Sequence, residues 1–192
     1  MFCEPLLKNE DLERIVVKET KHLPTPQEKA KQLFDWMQEH IVYDQEKLER
    51  KKCEKTGLRD SLEVFYDKKG LCGEQAYLYI VLSRLAGLDS WYVVVDETHN
   101  GKSNHACAAV DLDRIVYVDP AFHTFGICHK QVKPMNDFEV YQAYRPHKLV
   151  LEPSFAGYYA VAAVLGFTSG LVVKTGVTQK MLVAMQHYIS SS

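Results

Sequence analysis

Several shortages narrow the possibilities before any motif does. With seven prolines and ten glycines among 192 residues, the chain lacks the composition of a fibrous or low-complexity polymer. It also lacks a surplus of either charge: 23 Lys and Arg stand against 25 Asp and Glu, a net charge of −2. Nucleic-acid binding needs clustered cations unopposed by acids, so that class of partner is excluded. The basic run from Lys47 to Lys55 is interleaved by Glu49 and Glu54 and preceded by Glu46, and reads as a solvated helix face. Cysteines number five (Cys3, Cys53, Cys72, Cys107 and Cys128), an odd count without a C-x-x-C pair. That argues against a disulfide framework. The first residues are charged early and hold no apolar stretch of signal-peptide length, so a cytoplasmic location with reduced thiols is expected.

What is present suits one buried core. At 192 residues, the chain exceeds a common domain length by roughly 40 residues. A domain over 1–150 and an extension over 151–192 are expected. Leu12, Ile15 and Val16 mark an amphipathic helix within 8–22. Thr25-Pro26-Gln27-Glu28 combines a capping Thr, a first-turn Pro and a Glu three residues after the cap. It opens a helix over 26–41 whose Ala30, Leu33, Phe34, Met37 and Ile41 fall on one face. Residues 44–56 read as a partly helical surface connection. Leu62, Phe65 and Tyr66 suggest a short helix that Lys68-Lys69-Gly70 would stop. From Cys72 to Ala86 the chain is apolar almost all round, as a centrally buried helix requires, and Gly87 ends it. Three β-rich runs follow, at Trp91–Val95, Ala106–Val110 and Ile115–Val118. Helices first and strands second predict an α+β fold, with the helix of Cys72 laid across an antiparallel meander.

Three residues on this scaffold carry chemistry. Cys72 sits in the first turn of the buried helix, where unpaired N–H groups and the helix dipole favour a thiolate. His105 begins the second strand and Asp119 ends the third. A tight turn at Leu112-Asp113 would pair position 105 with 119 or 120. A carboxylate so placed can fix the imidazole tautomer while the other ring nitrogen faces the sulfur. Taken singly, each residue has a plainer explanation: a buried thiol, a structural histidine, a turn aspartate before Pro120. Their joint placement favours the triad.

The stretches Lys69-Gly70-Leu71-Cys72-Gly73-Glu74-Gln75-Ala76, Arg84-Leu85-Ala86-Gly87-Leu88, Asn104-His105-Ala106-Cys107-Ala108-Ala109-Val110 and Val116-Tyr117-Val118-Asp119-Pro120-Ala121-Phe122 occur in that order. Together with Ile41-Val42-Tyr43-Asp44 upstream, they resemble the core of the transglutaminase-like superfamily over about residues 26–125. The resemblance implies a papain-like α+β core bearing a Cys–His–Asp triad. Cys72 would attack an amide or ester carbonyl, His105 would act as general base and then acid, and Asp119 would orient it. It implies a peptide or protein substrate, hydrolysed through a thioester, and no metal or organic cofactor. Transfer of the acyl group to an amine is the alternative, and a non-catalytic scaffold that keeps the fold is another. Cys107 stands where many members carry an aromatic residue, a change expected to reshape the cleft wall. The Cys72 N–H is one expected oxyanion donor, and Gln45, Gln75 and Tyr43 are open candidates for the second.

Other residues carry weaker signals. Cys107, Cys128, His123 and His129 could be offered as zinc ligands, but their spacing fits no common site. Glu74 and Gln75 could line the cleft entrance, or be ordinary first-turn residues. Phe155 to Val173 is an uncharged stretch of 19 residues containing Gly166 and Gly170. It is long enough for a membrane span. A globular protein can bury such a stretch too, although a membrane or homo-oligomer contact is slightly favoured.

Overall fold

Side-chain caps decide where the helices begin. In the computed structural model, which describes residues 4–53, 57–98, 100–126 and 129–144, Asn9 caps α1 (Glu10–Thr20) and Thr25 caps α2 (Pro26–His40). Thr25 accepts from the Glu28 N–H while Glu28 reaches back to Thr25, so the sequence signature forms as a capping box. Asp44 caps α3 (Gln45–Cys53) by accepting from the Lys47 N–H. Asp60 caps α4 (Ser61–Asp67), which ends where Lys68 turns left-handed. The described residues fall in the first of two units into which the chain divides, Met1–Lys148 and Leu149–Ser192.

Two short strands, β1 (Val42–Tyr43) and β2 (Lys69–Gly70), pair in parallel and bring the chain to α5 (Cys72–Leu85). Tyr77, Leu78, Tyr79, Ile80, Val81 and Leu82 of α5 are all buried. A helix buried on every side must lie at the centre of the core, as its unbroken apolarity predicted. It packs between α1, α2 and α4 on one side and a five-stranded antiparallel sheet on the other. The sheet runs β6-β5-β4-β3-β7 and comprises β3 (Ser90–Thr98), β4 (Gly101–Asp111), β5 (Ile115–Asp119), β6 (Thr124–Phe125) and β7 (Gln131–Met135). Helix α6 (Asp137–Ala143) follows.

Alternation along β4 divides its side chains between two faces. Ala108 and Val110 join the main core, whereas Cys107 and Ala109 join Val93 and Val95 in a second buried cluster. The three expected strands are present, each longer than its β-rich centre. Strands β6 and β7 were not anticipated, being a dipeptide and a polar, proline-containing edge. The β4–β5 register also differs from expectation. Asp111 pairs with Ile115 and Ala108 with Val118, so the turn occupies three residues, with Asp113 left-handed at φ 61°. The extra turn residue shifts the ladder, and position 107, not 105, falls opposite 119. His105 and Asp119 are therefore diagonal neighbours.

The basic face also departs from expectation. The Lys47 side chain is 3% exposed, and its ammonium pairs with Glu74, which is fully buried. Glu74 accepts as well from the N–H groups of Arg59 (2.7 Å) and Leu71 (2.8 Å). Arg59 in turn donates to Asp44 at 2.8 Å and to Asp67 at 2.8 Å. Lys47 thus points inward, whereas Glu49, Arg50 and Lys51 are exposed. Among the described residues no helix is long and apolar enough to cross a membrane. The stretch 155–173, and with it the expected span or oligomer contact, lies outside the described residues.

Removing one member of a buried ion pair strands the other charge. Glu74→Gln is expected to lower unfolding free energy by about 3–5 kcal/mol, read from the urea midpoint at constant slope.

Candidate active site

The helix start at Cys72 is fixed by its neighbour three residues along. Leu71 is extended and has no capping side chain of its own, and the Glu74 carboxylate takes its N–H. Gln75 donates to the carbonyls of Gly70 at 2.9 Å and Val42 at 3.4 Å. Glu74 and Gln75 are both buried, so neither lines a cleft entrance. They hold the β2–α5 junction from within. Gly73 lets α5 approach the sheet, since a Cβ there would lie 2.6 Å from the Tyr92 hydroxyl.

Cys72 remains partly exposed, while Cys107 is fully buried. Against Cys72 stands the start of buried β4. The His105 ring and the N–H groups of Ala106 and Gly73 lie beside the sulfur and favour its anion. Burial works against the thiolate, but these donors and the His105 charge outweigh it and hold the Cys72 pKa below its ordinary value. Burial first, and then the Asp119 and Cys72 charges, push the Cys107 thiol far upward. Of the two, only Cys72 has the environment of a reactive sulfur.

His105 Nε2 lies 2.6 Å from Asp119 Oδ2. Because that nitrogen faces the carboxylate, Nδ1 is the one left for Cys72. The Asp119 Oδ1 accepts from the Phe122 N–H at 3.1 Å, capping a 3-10 turn over Pro120–Phe122. Gln38 of α2 donates to the Pro120 carbonyl at 3.1 Å and ties that turn to the helical layer. Burial would lower the His105 pKa, but Asp119 and Cys72 raise it to about 9. The structure thus brings together all three residues that the sequence singled out, through a diagonal strand contact and the turn at Pro120.

Two further residues complete this region. Phe122 stacks on the His105 ring, with centroids 4.1 Å apart and planes 7° from parallel, yet it is 50% exposed. The His129 side chain is 3% exposed and places Nε2 3.2 Å from Asp119 Oδ2. Phe122 was legible in principle, since an aspartate followed by proline caps a tight turn that returns its third residue to the carboxylate. No spacing rule marks His129, which arrives from beyond β6. Among the four residues weighed as zinc ligands, His123 is exposed and its ring contacts Gln38. Cys107 sits in the second core cluster and Cys128 lies outside the described residues. Among the described residues, the group that could hold a metal is instead His105, Asp119 and His129.

The His105 shift has a definite sign. Its folded pKa of about 9 exceeds the ordinary 6.5. The stability it contributes is therefore complete below about pH 6.5 and lost as pH rises through 9. Asp119→Asn should move the imidazole transition downward when followed by NMR, and an unchanged midpoint would deny the coupling.

Comparison with known proteins matches these features to a family. The model of the transglutaminase-like superfamily matches residues 13–120, more than half of the chain. No curated protein matches. Among solved structures, a TGase is 20% identical with a TM-score of 0.50, over 63% of this chain and 33% of the other. A candidate cysteine protease from Cytophaga hutchinsonii is 14% identical with a TM-score of 0.49, over 70% and 51% respectively. A candidate protease from Parabacteroides distasonis ATCC 8503 is 16% identical with a TM-score of 0.45, over 59% and 24%. The aligned part thus amounts to between a quarter and a half of those chains. With its mixed helices and antiparallel sheet, this chain belongs to the transglutaminase-like superfamily.

Proposed function

We propose that the unit formed by residues 1–150 is a cysteine-nucleophile acyl-transfer enzyme that hydrolyses a peptide or peptide-like amide through a thioester. The observation that carries this reading is the placement of Asp119 Oδ2 at 2.6 Å from His105 Nε2, with the same ring beside Cys72 and favouring its thiolate. Family membership supports an enzyme of this general type.

In this mechanism the Cys72 thiolate attacks the substrate carbonyl, forming a C–S bond and placing the negative charge on oxygen. The intermediate collapses as His105 gives its Nδ1 proton to the departing amine, breaking the C–N bond and leaving a thioester. His105 then takes a proton from water, which attacks the thioester. The acid leaves, and the proton returns to the sulfur–imidazole pair. Asp119 stabilises the imidazolium and keeps its charge without itself being protonated.

The oxyanion requires donors. The N–H of Cys72 lies in the first turn of α5, where amides lack intrahelical acceptors. Of the candidates for the second donor, Gln75 spends its amide on Gly70 and Val42, and exposed Gln45 donates to Glu49 at 3.0 Å. Tyr43 remains. Its half-buried phenol is pushed up to about 12, by burial first and then by the Cys72, Glu74 and Asp119 charges. A protonated hydroxyl within that field supports Tyr43 as the second donor. Phe122, stacked on His105 and half exposed, supports an apolar wall beside the reacting bond.

Treating the native protein with iodoacetamide near neutral pH should label Cys72 ahead of the other thiols, as mapped by mass spectrometry. His105→Ala should slow that labelling by roughly 100-fold. Equal labelling of exposed thiols, or no effect of the substitution, would leave a non-catalytic scaffold. Peptide acyl probes offered with and without a primary amine then separate the fates of the thioester: release of free acid supports hydrolysis, and an amide product makes the chain an acyltransferase.

A further inference from the structure

Asp119 Oδ2 is approached by two imidazole nitrogens, His105 Nε2 at 2.6 Å and His129 Nε2 at 3.2 Å. The mechanism uses only the first. The ligand atoms of the three residues lie within 4.8 Å of one another, and each side chain is at most 6% exposed. Two imidazoles and one carboxylate form a donor set suited to zinc or a neighbouring first-row metal, whereas calcium and magnesium favour oxygen ligands. Zinc bonds of about 2.0–2.2 Å in tetrahedral array put ligand atoms on the order of 3.4 Å apart. The His129 contact already has nearly that separation, and the His105 contact would open by less than about 1 Å. Braces for such a site are present: the Phe122 N–H holds Asp119 Oδ1, and the Phe122 ring stacks on His105.

We propose that His105, Asp119 and His129 form a zinc-binding site that reversibly blocks proton transfer by His105 beside Cys72. The ion would occupy the side of the His105 ring away from the sulfur, since Nε2 faces Asp119 and Nδ1 faces Cys72. Binding displaces the Nε2 proton of His105 to solvent and puts the metal in its place. Nδ1 keeps its proton, and with zinc on the opposite nitrogen the ring no longer passes freely between its protonated and neutral forms. Proton transfer to a leaving amine is then suppressed. The sulfur itself is not a ligand, and the fourth coordination position is left to water. The inhibitory consequence rests on the proposed role of His105 as proton carrier, whereas the metal site itself does not.

Zinc binding to the full chain carrying Cys72→Ala, measured by competition with a chromophoric chelator, tests the site without reference to activity. One ion per chain is expected, and His129→Gln in that background should weaken binding by roughly tenfold or more. The cobalt complex of the wild-type chain should show ligand-field bands without a thiolate charge-transfer band. Failure of Cys72→Ala to bind, indifference to His129→Gln, or a thiolate band would each overturn the proposal. If the Gln variant does not fold, modification of His129 by diethyl pyrocarbonate in the otherwise native chain decides instead. Protection by zinc supports the site, and equal modification with and without zinc overturns it. In the wild-type chain, zinc should slow turnover of a peptide acyl probe at least tenfold, and a chelator should restore it; turnover indifferent to bound zinc would remove the switch. His105-independent alkylation without metal would count against the enzyme while leaving the binding result intact. Absent binding beside His105-dependent alkylation would remove only the switch.

Discussion

A single carboxylate beneath Cys72 carries much of this arrangement. Glu74 is fully withdrawn from water, and its two oxygens collect the Lys47 ammonium, the Arg59 guanidinium and the N–H groups of Arg59 and Leu71. Those contacts draw α3, the segment before α4 and the start of α5 onto one point. An ion removed from water is costly unless every lone pair is answered, and here donors from three segments answer it. The position of the sulfur in the fold follows from that requirement. Cys72 lies two residues before Glu74, so whatever fixes the carboxylate fixes the first turn from which the thiol projects.

The second constraint comes from the sheet side. His105 and Asp119 do not face each other directly across the ladder. The three-residue turn offsets them, and the chain compensates after β5 by curling through Pro120 so that Asp119 serves both the Phe122 N–H and the His105 ring. One carboxylate oxygen is spent on backbone geometry and the other on the imidazole. The same group that meets the His105 imidazole therefore also terminates the strand, and the candidate site and the local fold share a residue.

Much of this was legible in the chain itself, for identifiable reasons. Burial of α5 followed from apolarity on every side, and the starts of α2 and α4 correspond to short polar residues that can accept a hydrogen bond. Cys72, His105 and Asp119 could be grouped from the sequence because each has a chemical type that few other positions could supply in that order. The turn length was not, since Leu112-Asp113 suits a two-residue turn as well as part of a three-residue one, and only the left-handed Asp113 distinguishes them. Lys47 and Glu74 were misjudged because composition shows a run of charges but not which member points inward. His129 escaped for a related cause: its proximity to Asp119 depends on the path of the chain after β6, which no periodicity encodes.

The unequal access to the two described thiols has a consequence for oxidative damage. Cys107 is sealed among aliphatic side chains with its proton firmly held, while Cys72 is within reach of solvent and biased toward the anion. Peroxide reacts with thiolates in preference to thiols, so of these two sulfurs it would spend itself first on the reactive one. Oxidation of Cys72 would then run ahead of any loosening of the interior, and a chain oxidised in this way would still be folded and open to rescue by reductant while its sulfur had gone no further than the sulfenic acid.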